Sequence, residues 1–145
     1  SARRKFLGLI REVKGEKTTI LLITHIGADA ELASKVGLID KGEIIAEDEP
    51  ERLKEMSGLK NVINIETTIK SEKVANVLSD FSEKRKVLET DVGYRVYCKD
   101  VGKVTPKIVR ALDAIGCKTT KIETVKPSLE DVFFKLTEKT ITEMS

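Results

Sequence analysis

The chain carries one histidine, His25, inside the stretch "TTILLITHIGADAELASKV". An apolar, β-branched run from Ile20 to Ile23 leads into Thr24 and then His25, and an acidic segment with Asp29 and Glu31 follows. At neutral pH an imidazole can donate to a phosphate oxygen, and the tip of a strand holds it more rigidly than a loop would. Ligands of open α/β sheets sit at the carboxyl ends of the strands, which is where this residue falls. Spacing alone equally admits a surface or half-buried histidine that merely closes a strand. The remaining titratable candidates, Glu66, Asp91, Glu123, Glu130 and Asp131, are scattered over different elements, form no motif and read as solvated faces. Cys98 and Cys117 are outside any metal-ligand spacing and read as free thiols of a reducing compartment, packed as small apolar residues.

These residues need elements to hold them. Phe6, Leu7, Leu9, Ile10 and Val13 share one stripe of a helix over Arg4 to Val13 that Gly15 stops. The run from Thr18 to Thr24 predicts a strand buried on both faces of a mainly parallel sheet. A helix over about Ala28 to Lys35 follows, with its acidic residues in the first turns, where the helix dipole favours them. "VGLIDKGEIIAEDEP" predicts two short strands joined at Asp40-Lys41-Gly42, and Pro50 opens a short helix that Gly58 ends.

From about Leu59 the pattern changes. "NVINIETTI" reads as a strand and "SEKVANVLSDFSEK" as an amphipathic helix capped by Ser71. "KVLET" and "YRVYCK" read as two strands around the Asp91-Val92-Gly93 turn. "TPKIVRALDAIG" is a second helix with Pro106 in its first turn and Gly116 at its end, "CKTTKIETV" a last strand, and "PSLEDVFFKLTEKT" a closing helix. The order β-α-β-β-α-β plus one helix is that of a ferredoxin-like α+β domain, with one sheet face covered by helices and the other more open. The organisation is thus an α/β fragment over residues 1–58 followed by an α+β domain over residues 59–145.

Composition bounds the function. With 40% hydrophobic and 34% charged residues in 145, the chain can bury a mainly aliphatic core and keep an ion-paired surface. The formal charge is only +2, and no run of like charges suggests a nucleic-acid tail or a membrane-surface patch. No apolar run reaches the length of a membrane span and no signal peptide is evident, so a cytoplasmic protein is expected. The opening "SARRKFLGLI" already reads as helix and lacks methionine, as expected of a piece of something longer.

Thr24-His25, the acidic helix "DAELASKV" and then "GLIDKGEIIAEDEPERL" together resemble the C-terminal third of an ABC-type ATPase domain. Asp29, Ala30 and Glu31 match that family's acidic-Ala-Glu triplet, "SARR" is similar to the residues after its D-loop, and "PSLEDVFFKLT" resembles the tail of exporter-type ATP-binding subunits. The resemblance covers almost the whole chain. It implies that residues 1–58 are the end of a P-loop nucleotide-binding domain and residues 59–145 an accessory domain. It also implies that His25 is the switch histidine, contacting the γ-phosphate of ATP and the attacking water. Positioning and charge stabilisation are most of phosphoryl-transfer catalysis, so an imidazole there has work to do.

The sequence contains no G-x-x-x-x-G-K-[ST] loop, no apolar strand ending in Asp-Glu and no Ser-Gly-Gly-type signature. In the family these motifs come earlier in the chain, so the resemblance implies phosphate-loop residues upstream of Ser1. ATP and Mg²⁺ are accordingly expected on the intact protein, and this chain alone is expected to be inactive. It is expected to have no cofactor-binding or metal-ligating residues of its own. The implied partners are a transmembrane permease and a second ATP-binding subunit, with the protein peripheral at the inner face of the membrane. Because the strand at 18–23 lacks its parallel neighbours, self-association through the N-terminal segment is also expected.

Three rival readings are weighed beside this one. A ferredoxin-like module can sense small molecules, although the fold alone does not imply it. A non-transport ABC-type ATPase shares the same motifs. RNA recognition shares the β-α-β-β-α-β order but needs aromatics two apart on one sheet face, whereas Tyr94 and Tyr97 are three apart.

Overall fold

A computed structural model describes residues 2–13, 15 and 17–138. Ser1, upstream of which the phosphate-loop residues are expected, lies outside the described residues. Helix α1 spans Ala2–Val13 and none of its residues is buried. Of its apolar stripe Phe6 and Leu9 are exposed, and Leu7, Ile10 and Val13 are half-buried. Arg3 ties the helix to Asp29: its Nε donates to Asp29 Oδ2 at 3.3 Å while its Nη2 bonds Oδ1.

The segment 18–24 forms no strand, which corrects the expectation of a buried parallel one. Leu21 and Ile23 are each 86% exposed. A strand needs neighbours for its N–H and C=O groups. The sheets among the described residues are an antiparallel pair and a four-stranded sheet, and neither includes this run. The helix expected over 28–35 is likewise reduced to α2, Gly27–Ala30, followed by turns. One turn without a side-chain N-cap cannot propagate alone, because helix nucleation is costly.

Strands β1 (Val36–Asp40) and β2 (Glu43–Asp48) form the expected hairpin. Its two-residue loop needs positive φ at both positions, and Lys41 (51°) and Gly42 (78°) supply it. Helix α3, Pro50–Met56, follows with proline in its first turn.

The second half follows the β-α-β-β-α-β order. Strand β3 (Asn61–Thr67) leads to α4 (Glu72–Ser79), capped by Ser71 Oγ, then β4 (Val87–Glu89), β5 (Gly93–Cys98), α5 (Val101–Ala114) and β6 (Thr119–Val125). The spatial order is β4-β5-β3-β6 with every pair antiparallel. At Gly93 the β3 and β5 backbones come so close that a Cβ would meet the Ile65 carbonyl oxygen at 1.8 Å. Only glycine fits there. Helix α5 begins earlier than Pro106 suggests, because Asp100 Oδ1 accepts the Lys103 N–H at 3.1 Å and caps it.

Alternation along the strands divides the core. Ile63, Ile65, Tyr94 and Val96 pack under α4 and α5 against Val74, Leu78, Ile108 and Leu112. Both cysteines are free and buried in this layer. The opposite face is less open than expected. Helix α6 (Leu129–Thr137) lies across it, with Phe134 joining Val62, Leu88 and Tyr97. Tyr97 and Phe134 stack with ring centroids 6.1 Å apart. The other side of α6 presents Leu129, Val132 and Phe133 to Val36, Leu38 and Leu53. One helix therefore joins the hairpin and α3 to the four-stranded sheet. The sequence-predicted extension of this helix to residues 139–140 lies outside the described residues.

Candidate functional site

His25 is exposed, on a bend between the irregular run 18–24 and α2. The turn is shaped locally, since Thr24 Oγ1 accepts the Ile26 N–H at 3.0 Å. Ile26 O accepts the N–H of Asp29 at 3.0 Å and of Ala30 at 3.4 Å, and Gly27 O accepts that of Glu31 at 3.2 Å. The acidic triplet is thus divided by environment. Asp29 is buried and faces Arg3. Glu31 reaches outward from its turn to two other elements.

Glu31 Oε2 accepts from Lys54 Nζ of α3 at 2.8 Å, and Oε1 accepts the backbone N–H of Leu129, the first residue of α6, at 3.1 Å. Lys54 also donates to Glu51 Oε1 at 3.1 Å. Burial alone would lower the ammonium's pKa, but the bonds from Glu31 and Glu51 outweigh it and hold the group above its ordinary value.

A second polar cluster lies on the α6 side of the sheet. Asp131 is fully buried and accepts from Arg95 Nε at 2.8 Å and Arg95 Nη2 at 2.6 Å. The Tyr97 hydroxyl donates to it at 2.7 Å, and Ser128 donates its backbone N–H at 2.8 Å and its hydroxyl at 3.0 Å. Ser128 Oγ in turn accepts the Asp131 N–H, completing a capping box. Burial would raise the carboxyl's pKa, but Arg95 and the Ser128 N–H hold it below the usual carboxylate range. The same burial, beside the Asp131 charge, pushes the Tyr97 phenol up.

Asp131 is therefore not the solvated carboxylate that the sequence suggests. Its signal was the spacing Ser128-x-x-Asp131 ahead of an apolar run, which is that of a capping box. Of the other carboxylates, Glu123 accepts from Asn64 Nδ2 at 3.2 Å, and none shares a cluster with His25. Among the described residues no group of three or more His, Cys, Asp and Glu could hold a metal. Shallow crevices lie beside Leu59 and Tyr97, and His25 lines neither. Tyr94 and Tyr97 are both buried and lie on opposite faces, so neither offers a stacking platform for bases. No helix among the described residues is long and apolar enough to cross a membrane.

Residues 49–137 match the family described as "ATP-binding protein DrrA1-3-like, C-terminal domain". The matched region runs from the residue before α3 to the end of α6, so it contains the whole four-stranded sheet and the helix that covers it. A curated relative is the "Daunorubicin resistance ATP-binding protein DrrA2" of Streptomyces coeruleorubidus, 29% identical over 132 residues. The alignment covers 88% of this chain and 41% of the relative, so the chain spans about two-fifths of the relative's length. With more than half of its residues in the matched region, the chain belongs to the DrrA1-3-like ATP-binding protein family, as the C-terminal portion of an ABC transporter ATP-binding subunit.

Proposed function

We propose that the intact protein binds and hydrolyses Mg-ATP to drive transport, in the export direction, through a separate transmembrane permease. The observation that carries this reading is the family match over residues 49–137, directly downstream of the ordered run Thr24-His25, Asp29-Ala30-Glu31 and the β1–β2 hairpin. The relative's printed name, a drug-resistance ATP-binding protein, supports the same direction. In this reading His25 contacts the γ-phosphate and orients the attacking water, while the phosphate loop and metal ligands come from parts of the subunit upstream of Ser1. The exposed position of His25 on a bend leaves its imidazole accessible to a nucleotide.

Residues 59–145 act as a ferredoxin-like accessory domain, a reading supported by the strand order β4-β5-β3-β6 and the two helices on one face. The apolar residues Leu21, Ile23 and Ile26 are the surface on which the remainder of the nucleotide-binding domain packs. In isolation the same surface drives the chain to pair with itself. Two such ATP-binding subunits work together, at the cytoplasmic face of the membrane that holds the permease.

The test is His25→Ala in the full-length protein. Turnover falls roughly 100-fold or more, the scale on which a positioned acid–base group acts, while ATP affinity stays within a few-fold. Unchanged turnover would remove the switch assignment.

A further inference from the structure

Glu31 belongs to the same short segment as His25, yet its carboxylate binds two distant parts of the chain. Oε1 accepts the N–H of Leu129 at 3.1 Å and Oε2 the ammonium of Lys54 at 2.8 Å. The Leu129 N–H is one of the donors that every helix start leaves without an intrahelical partner. Ser128, the residue that caps α6, accepts the Asp131 N–H on its Oγ and donates its hydroxyl to Asp131 Oδ2, so Glu31 supplies an acceptor that the helix's own cap does not. The contact is partly shielded, with the Lys54 side chain 16% and that of Glu31 31% exposed. Beneath it, Leu129, Val132 and Phe133 pack on Val36, Leu38 and Leu53.

The other end of the connection is the backbone beside His25. Glu31 N–H bonds Gly27 O, Ala30 and Asp29 N–H bond Ile26 O, and Ile26 N–H bonds Thr24 Oγ1. The hydrogen bonds of one short turn therefore connect the residue whose carboxylate grips α6 with Thr24 and Ile26, the two residues flanking the imidazole. Asp131 fixes α6 to the sheet at the far side through Arg95 and Tyr97.

We propose that Glu31 is a positioning residue: it ties the segment carrying His25 to the first turn of α6, so that the C-terminal domain sets where the imidazole stands. This rests on the reading of His25 as the γ-phosphate contact and adds to it a route by which the accessory domain controls turnover. A movement of α6, through a partner or a second subunit, then changes the His25 setting without any contact with nucleotide.

The experiment uses the 145-residue chain, in which His25 is the only histidine and gives a single set of imidazole resonances. Amide exchange at Leu129 and the His25 resonances are compared in wild type, Glu31→Ala and Glu31→Gln. Glu31→Ala is expected to accelerate Leu129 exchange about ten-fold or more, the effect of losing a hydrogen bond to a charged acceptor, and to shift the His25 resonances. Glu31→Gln keeps an acceptor for Leu129 and restores both toward wild type. Unchanged Leu129 exchange in Glu31→Ala overturns the contact. Faster exchange with unmoved His25 resonances, or no rescue by glutamine, overturns the positioning role. Neither readout needs nucleotide, so a failure of His25→Ala to alter turnover strikes the catalytic assignment and leaves this link distinguishable from it.

Discussion

Replacing Asp131 by asparagine keeps the shape of the side chain and removes its charge. The wild-type carboxylate is fully buried and accepts five hydrogen bonds, from Arg95 Nε and Nη2, the Tyr97 hydroxyl, and the Ser128 N–H and hydroxyl. Asparagine presents an amide donor to at least one of these donors and leaves the Arg95 guanidinium, with its side chain 17% exposed, without a counter-charge. Breaking one partner out of a buried ion pair costs about 3–5 kcal/mol, and the loss here is expected near the lower end because one acceptor oxygen remains. With a urea slope of about 2 kcal/mol/M for a chain of this size, the unfolding midpoint falls by roughly 1.5 M. The companion Arg95→Met/Asp131→Leu removes both charges and leaves the buried Tyr97 hydroxyl and the Ser128 N–H without their acceptor, together about 2 kcal/mol, so it stays closer to wild type than the single variant. Urea unfolding followed by circular dichroism reads all three proteins. A single-variant cost below about 1 kcal/mol, or a double variant as unstable as the single one, would refute the view of Asp131 as a charge held in place by Arg95.

Two further outcomes follow from the same contacts. The Asp131 carboxyl is held below its ordinary value of 3.8, so its contribution is complete above that value and is lost as pH falls through the lower folded one. The urea midpoint of the wild type should therefore drop steeply below about pH 4 and that of Asp131→Asn less so; parallel acid profiles would contradict this. Gly93→Ala forces a methyl against the Ile65 carbonyl oxygen, a backbone atom that can yield only if β3 and β5 separate. A cost of about 3 kcal/mol is expected, the upper end for overpacking. That lowers the thermal midpoint by roughly 8 °C, and an unchanged midpoint would mean that the two strands are not so close.

The parts of the fold that could be read from the sequence are those whose pattern and partner both lie within the chain. The β1–β2 hairpin follows from Asp40-Lys41-Gly42 because the turn dictates its own backbone angles. The β-α-β-β-α-β order follows because each strand's apolar positions meet a helix present in the same sequence. Thr18–Thr24 has the apolar, β-branched composition of a buried strand, but composition states a preference for burial and cannot supply the neighbours. Without them the run forms no strand and leaves Leu21 and Ile23 in solvent. His25 stands at the end of that run and just ahead of the short helix. The strand tip expected to hold it rigidly is absent, since that rigidity belongs to a sheet and not to seven residues.

Helix α6 shows the opposite failure. Its charged residues suggest a solvated face, yet Asp131 is fully buried and Glu130, its neighbour, is exposed. No periodicity separates the two. What does is that Asp131 sits three residues after Ser128, where its carboxylate can turn back to the helix start, and that Arg95 and Tyr97 are brought beneath it by β5. Only the first of those facts is local in sequence. Glu31 is harder still, because its partners Lys54 and Leu129 belong to elements that meet only once α6 has packed on the hairpin. The acidic-Ala-Glu triplet thus marks a place where local sequence records a tertiary contact: Asp29 turns inward to α1, Glu31 outward to α6, and the alanine between them keeps both carboxylates on one short turn. A segment that uses both of its acids for anchoring places the histidine before it under the control of whatever moves those anchors.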